Sequence, residues 1–297
     1  MSRVSATGTA HSFAHDANPT AASLLAFVQR HPRLLVLTGA GCSTDSGIPD
    51  YRDADGAWKR PRPVDHRDFV ADPAVRRRYW ARSLIGWRHF GAARPNAAHL
   101  ALARLEALGH VARLVTQNVD GLHAAAGSRA VIDLHGRLDQ VVCLDCGHRL
   151  PRAVFQRALA DANPAWASAQ AAPAPDGDAE LDGADFSAFT VPACSRCGGR
   201  LKPDVVFFGD NVPLARVRAA TDALAQADAL LVVGSSLMVY SGFRFARKAA
   251  ERGQAIAILN RGRTRADALA TLKLDAAVAP ALTALVQGLA STGTAGL

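Results

Sequence analysis

Two Cys-x-x-Cys pairs, Cys143/Cys146 and Cys194/Cys197, constrain this chain more than any other feature. Each pair is followed by a glycine, Gly147 or Gly198, which lets a tight turn aim backbone amides at the sulfurs. The two knuckles describe one four-thiolate zinc site, so the 47 residues between them must leave and return to one point. Four Cys ligands leave no position for water, and the expected metal is one structural Zn2+. Five cysteines, four of them paired in this way, argue for a reducing compartment rather than for disulfides. The fifth, Cys42, reads as a small buried side chain, because no partner for a nucleophile is identifiable.

The length of 297 residues suits one large domain and one small one, and 49% apolar residues can fill a sizeable core. No apolar run reaches the roughly 18 residues that a membrane span requires. Residues 1–22 hold one arginine and no apolar stretch, which excludes a secretory signal and reads as a disordered tail over 1–19. A weak transit peptide is the alternative reading. The net charge of +8 is uneven. Residues 59–94 carry ten Lys/Arg against three Asp, whereas residues 138–201 carry five Arg against eight acids. A zinc ribbon that binds nucleic acid would be basic, so that class is set aside.

Short continuous apolar runs at 34–37, 111–116, 130–134, 229–233 and 255–259 read as buried parallel strands. A further strand is expected at 205–208. Helical patterns occupy 20–31, 73–90, 95–108, the stretch ending at 227, and 243–252. Residues 165–187, rich in Ala, Pro and acids, read as a long loop. Alternation of this kind makes an α/β fold, a parallel sheet with helices on both faces, and ligands of such sheets bind outside the carboxyl ends of the strands. Five loops at those ends define one crevice: 39–46, 117–121, 135–136, 234–236 and 260–262.

Gly39 and Gly41 allow a phosphate to approach the backbone, yet they are half of a dinucleotide fingerprint. Thr44 stands where the third glycine belongs, and no acid for a ribose follows about 20 residues on, so the loop points away from an ordinary dehydrogenase. Asn118 and Asp120 in the run 117–120 either cap the next helix or face the crevice. His135, at a strand's carboxyl end beside Gly136, is the candidate general base, against the plain reading of a structural histidine.

Together these segments resemble one family. GAGCSTDSGIPDYR, TQNVDGLH, His135-Gly136, the cysteine pairs, KPDVVFFGD, GSSL and Asn260 resemble the sirtuins, NAD-dependent protein lysine deacylases, in order from about residue 20 to 285. RRRYWARSLIGW and VVGSSLMVYSG are similar to the class II branch, which includes the mitochondrial sirtuin four and many bacterial proteins. The resemblance implies a Rossmann-like domain over 20–137 and 202–290, with a helical and cofactor-loop module at about 45–95. It also implies an inserted zinc-ribbon domain over 138–201 and a tail over 291–297. NAD is then expected against Gly39, Ala40, Gly41, Thr44, Asp45, Pro49, Asp50, Tyr51, Arg52 and Lys59. Gln117, Asn118, Val119 and Asp120 would hold the nicotinamide and its ribose, Asn118 also serving catalysis. Gly234, Ser235, Ser236, Asn260, Arg261, Gly262 and Val278 would hold the adenosine end.

The implied reaction has the acyl oxygen of an acyl-lysine displace nicotinamide, with His135 as general base on a ribose hydroxyl. Val206, Phe207, Gly209, Met238 and Val239 would pair with the peptide backbone as added strands. Tyr79 and Arg82 form a Tyr-x-x-Arg, from which Arg82 is expected to pair with an acidic acyl chain. Partners are then acyl-lysine proteins or peptides, with neither nucleic acid nor membrane, and a monomer in the cytoplasm is expected, or alternatively in the mitochondrial matrix. Mono-ADP-ribosylation of a protein at the same site is the rival chemistry.

Overall fold

The computed structural model describes residues 19–293, apart from Arg52, Ala54, Gly56, 60–62, 170–176, Glu180 and Asp182. The expected contact at Arg52 and nine residues of the stretch 165–187 therefore lie outside the described residues. The first helix, α1 (Pro19–Arg30), leads into β1 (Leu34–Thr38), whose end opens into two short 3-10 turns over Ala40–Cys42 and Thr44–Ser46. Next come α2 (His66–Ala71), α3 (Pro73–Phe90), α4 (Ala97–Ala107), β2 (Val111–Thr116), α5 (Leu122–Ala125) and β3 (Val131–Asp133). The chain then makes β4 (Gly136–Cys143), β5 (Arg149–Pro151), α6 (Arg152–Ala162), α7 (Pro164–Ala167) and β6 (Leu201–Val205). It closes with α8 (Leu214–Gln226), β7 (Ala229–Val233), α9 (Tyr240–Glu251), β8 (Ala255–Leu259), β9 (Leu272–Leu274) and α10 (Val278–Gly293).

Six strands form a parallel sheet in the order β3-β2-β1-β7-β8-β9. Its central strands are apolar throughout because both faces are covered. Leu34 and Val36 of β1 point into a core shared with Leu24, Phe27 and Val28 of α1, Leu102 and Leu105 of α4, and Leu282 and Leu285 of α10. Leu35 and Leu37 point the other way, toward Leu224 of α8 and Phe245 of α9. A side chain such as Leu102, wholly buried here, stabilises the fold by roughly 2–5 kcal/mol relative to alanine. The chain order reverses about β1, with β2 on one side and β7 on the other, and the loops leaving β1 and β7 open a crevice there.

The second sheet is antiparallel, in the order β5-β4-β6, and carries the cysteines. It packs on α3 and α6 through a separate core of Phe69, Tyr79, Trp80, Leu84, Val141, Phe155 and Leu159. Trp80 is wholly buried, and its Nε1 donates to Leu201 O at 3.1 Å, which ties α3 to β6. Arg152, also buried, stacks on Trp80 and Trp87 at 5.4 and 5.0 Å and donates to Ser83 O at 3.2 Å.

Three expectations are corrected. The strand expected at 205–208 is β6, four residues earlier; beyond Val205 the Val206 amide donates to His135 O at 2.8 Å and the chain turns along the crevice. The loop expected over 165–187 begins with α7, and residues 177–179 are buried, docked so closely that a Cβ on Gly86 would lie 2.4 Å from Asp178 O. The tail expected from 291 is still helical to Gly293. No described helix is long and apolar enough to cross a membrane.

Candidate active site

A cavity of about 650 Å³ occupies the crevice between the two sheets. It is walled by Gly39, Ala40 and Gly41 after β1, by 117–120 after β2, by His135, by 234–241 after β7 and by Asn260 and Arg261 after β8. The five strand-end loops thus meet, as parallel strands ending on one side of a sheet require. The glycine loop is interlocked with β7: the Gly39 amide donates to Val233 O at 3.1 Å and the Gly41 amide to Gly234 O at 2.9 Å. Gly234 is left-handed, with φ +59°, and a Cβ there would sit 2.5 Å from the Cys42 amide.

Among the described residues, His135 is the one histidine on the cavity wall. Nδ1 lies 2.9 Å from Gln117 O, which only accepts, so Nδ1 carries the proton. Nε2 is then the lone-pair nitrogen, and the Ser241 hydroxyl donates to it at 2.8 Å. Burial is the main influence that pushes the His135 pKa down to about 4; the Gln117 carbonyl opposes it, while Arg216 and Arg244 add to it. The ring is therefore neutral, with an available base, across the physiological range.

Asn118 lies beneath the glycine loop. Its Nδ2 donates to Gly39 O at 3.0 Å and to Ser43 Oγ at 2.9 Å. Ser43 in turn donates to Asp120 Oδ2 at 2.7 Å. Behind them, the Asn96 amide donates to His99 Nδ1 at 3.3 Å, leaving Nε2–H of His99 to face Ser43 Oγ at 3.4 Å. Burial lowers the pKa of His99 and brings that of His123 to about 3, so both rings are neutral. Ser43, His99 and Ser241 were not identified from sequence; the glycine loop pointed near Ser43, but nothing in the sequence places Ser241 beside His135.

Most of the expected contacts line the cavity: Pro49, Asp50 and Tyr51 on one side, and Val206, Phe207, Gly209, Met238, Val239 and Tyr79 on the other. Five do not. Thr44 turns its hydroxyl back to Gly41 O at 3.3 Å, and Asp45 lies in the second 3-10 turn. Lys59 pairs with Asp50 at 2.5 Å and reaches the wall only through it. The Gly262 amide donates to Asp275 Oδ1 at 3.1 Å, and Val278 packs into the core at the start of α10.

Arg82 also lies off the cavity, and the expectation that it pairs with an acidic acyl chain is corrected. Its Nε donates to Ala179 O at 2.8 Å and faces the buried Asp178 carboxylate at 3.6 Å, so the guanidinium is committed to holding residues 178–179. Ile48, Phe90, Leu138 and Phe207 make an apolar part of the wall, and the Tyr79 ring lies 5.2 Å from that of Phe207. Residues missed at the sequence level include Ile48, Trp58, Phe90, Leu138, Arg244 and Arg263.

The four paired cysteines converge. Cys143 and Cys197 sulfurs are 3.5 Å apart, those of Cys146 and Cys194 are 3.8 Å apart, and all four lie within 4.8 Å of one another. A tetrahedral zinc with Zn–S of about 2.3 Å sets its sulfurs about 3.8 Å apart, so the group fits one structural Zn2+. Each knuckle has the same turn: the Gly147 amide donates to Cys143 O at 3.0 Å and the Gly198 amide to Cys194 O at 2.8 Å.

The model of the Sir2 family matches residues 39–241. An NAD-dependent protein deacetylase of Xanthomonas campestris pv. campestris is 62% identical over 268 residues, covering 90% of this chain and 92% of that protein. NAD-dependent protein deacetylase 2 of Bradyrhizobium diazoefficiens is 64% identical over 253 residues, covering 85% and 93%. A solved Sir2 homologue in complex with NAD superposes with a TM-score of 0.69 at 32% identity, covering 91% of this chain and 94% of that one. With 203 of its 297 residues inside the family model and relatives above 60% identity, this chain belongs to the Sir2 family.

Proposed function

We propose that this protein is an NAD-dependent protein lysine deacetylase, transferring an acyl group from lysine to ADP-ribose with release of nicotinamide. The observation that carries the reading is His135: a neutral imidazole with its proton fixed on Nδ1 and its base nitrogen turned to the same cavity as the glycine loop. Relatives that share 62–64% of the sequence are NAD-dependent protein deacetylases, which supports it further.

Bound NAD would supply the electrophilic ribose carbon and the nicotinamide leaving group. Gly39, Ala40 and Gly41 would allow a pyrophosphate to approach the main chain closely, the Gly39 and Gly41 amides themselves being bonded to the end of β7, and Pro49, Asp50 and Tyr51 would lie over it. Asn118 and Asp120 stand where a carboxamide and a ribose would meet polar partners, and Ser43 and His99 hold both in place. Ser235, Ser236, Asn260 and Arg261 offer the polar edge for the adenosine end. His135 accepts a ribose hydroxyl proton at Nε2, and the Gln117 carbonyl steadies the imidazolium that results. Val206, Phe207, Gly209, Met238 and Val239 form the opposed walls for an extended peptide, and Tyr79 closes the acyl end with Ile48 and Phe90. That apolar end suits a short uncharged acyl group. The two sheets support a division into a Rossmann-like unit and a zinc-carrying unit, the latter starting at Gly136 rather than 138 and ending at Val205 rather than 201.

The test is nicotinamide release from NAD with acetyl-, lipoyl- and glutaryl-lysine peptides, beside a His135→Ala control. Turnover that needs both peptide and His135, with acetyl ahead of glutaryl, is the expected result. Nicotinamide released without any peptide, with label kept on protein, would move the function to ADP-ribosyl transfer.

A further inference from the structure

The cavity wall at Met238, Val239 and Tyr240 carries positive charge that the reaction does not use. Four carboxylates line the cavity, and each already has a partner. Asp50 pairs with Lys59 at 2.5 Å, and Asp53 accepts from the amides of Asp55 and Ala57 at 3.0 and 2.9 Å. Asp120 accepts from Ser43, and Asp210 accepts from the Asn211 amide at 2.7 Å and faces His66 at 3.5 Å. Arg244 lines the same cavity, and among the described residues it has no carboxylate partner. Its guanidinium stacks 5.2 Å from the Tyr240 ring, and its Nε is buried without an acceptor.

A second arginine is fixed beside it. Arg265 lies 4.3 Å over the Phe243 ring and donates from Nη1 to Met238 O at 3.3 Å, and it too has no carboxylate partner among the described residues. Arg247 also stacks on Tyr240, at 5.5 Å, but shares its charge with Glu251 at 3.3 Å. On the segment that Arg244 meets through the Tyr240 ring and Arg265 through Met238 O, Val239 and Tyr240 present large side chains that are 37% and 44% exposed. Leu237, just before them, is the single non-glycine described residue in left-handed backbone, at φ +55°, with its amide held by Ser235 Oγ at 3.3 Å. Strain of this kind persists where surrounding contacts fix a functional surface. Exposed tyrosine with pinned arginine on its face is the composition that dominates binding energy at protein interfaces.

We propose that this rim reads a carboxylate on the substrate, so that the protein prefers acyl-lysines flanked within two residues by Asp or Glu. The inference rests on the deacetylase reading above. An extended peptide lying along Met238 and Val239 places its neighbouring side chains over Tyr240, Arg244 and Arg265, where a carboxylate meets planar donors and a lysine meets like charge.

The experiment uses the full zinc-loaded protein, NAD and acetyl-lysine peptides that differ only in carrying Glu or Lys at the positions one and two residues either side. The expected result is a kcat/KM roughly tenfold higher for the acidic peptides at about 0.05 M salt, expressed in KM and shrinking several-fold at about 0.5 M salt. Arg244→Gln narrows the preference and Arg244→Glu inverts it; Arg265→Gln narrows it independently should either Arg244 variant fail to fold. Equal or better turnover of the basic peptides, still dependent on His135, would overturn the inference and leave the deacetylase reading standing. No turnover of any acetyl-lysine peptide would overturn both.

Discussion

His123 gives the sharpest test of how this interior treats charge. Its ring is 2% exposed and packs 4.8 Å from His99; Nε2 meets Thr38 Oγ1 at 2.9 Å and Nδ1 has no partner. Burial first, and the neighbouring His99 second, hold its pKa at about 3, while burial holds His135 at about 4. In the unfolded chain both return to about 6.5. A histidine whose folded pKa is lowered takes up a proton on unfolding, so its contribution is intact above about pH 6.5 and is lost as pH falls toward the folded value. At pH 5.5 each unfolded imidazole is about ten to one protonated and each folded one is essentially neutral. The loss relative to pH 7.5 is then roughly 1.4 kcal/mol for each of these two rings, and His99, whose pKa burial also lowers, adds to it. The carboxylates whose pKa is lowered, Asp145, Asp185 and Asp267, act only below about pH 4, outside this window. Guanidinium unfolding of zinc-loaded protein at both pH values measures the difference. His123→Gln, which keeps an amide within reach of Thr38, should lose about 1.4 kcal/mol less stability than the wild type between pH 7.5 and 5.5, whatever its starting stability. A variant that keeps the full loss, or a wild type whose stability is flat over this range, would refute the argument.

Other outcomes follow from single contacts. Gly136→Ala places a Cβ 2.0 Å from Asp204 O at a residue with φ +83°, and should lower stability by more than about 3 kcal/mol, measured as the melting temperature of soluble protein. Cys197→Ser should abolish stoichiometric zinc and, with it, ordered β4–β6 and deacetylation, read together by metal analysis and near-ultraviolet circular dichroism. Ser241→Ala removes the hydroxyl that donates to His135 Nε2, and should lower kcat about tenfold with little change in KM for peptide. Arg82→Met should leave the ratio of glutaryl to acetyl turnover unchanged while lowering stability by about 1–3 kcal/mol, because the Ala179 carbonyl and the buried Asp178 carboxylate would lose its guanidinium.

What the sequence revealed follows from how each part is buried. β1, β7 and β8 are covered on both faces, so 34–37, 229–233 and 255–259 read as unbroken apolar runs with little ambiguity. β6 was misplaced because its sequence, Leu201 to Val205, includes a lysine and a proline, whereas the more apolar Val206–Phe208 lines a cavity. Lys202 is tolerated there because the Val205 and Pro203 carbonyls take its ammonium and the Phe207 ring lies 4.3 Å away. The helix α10 was missed because Val278–Gly293 has few polar residues to mark its period. The place of His135 on the cavity wall and the convergence of the cysteine pairs were legible because strand-end position and spacing fix them. Arg82 was misread because its partner, Asp178, is nearly a hundred residues away within a segment that composition alone makes look unstructured. Ser241 and Arg244 reach the cavity only through the first turn of α9, a placement that depends on the left-handed turn at Leu237.

The interlock of Gly39, Gly41 and Gly234 bears on how such a site can change over time. Phosphate-binding loops that merely cap a helix can drift in length and sequence while the scaffold stays put. Here the loop after β1 is stitched to β7 by two backbone hydrogen bonds, and Gly234 is itself bound to β8 through Leu259 O at 2.9 Å. A Cβ at Gly39 would press on Ser235 at 2.7 Å, and one at Gly234 would press on Cys42. No partner substitution relieves either clash in full, since a Cβ at Gly39 also meets Gly234 O at 2.9 Å and one at Gly234 meets only main-chain atoms of Gly41 and Cys42. The three glycines therefore form a heritable unit, lost or kept together. A loop of this type cannot be transplanted onto another sheet without the ends of β7 and β8 that receive it.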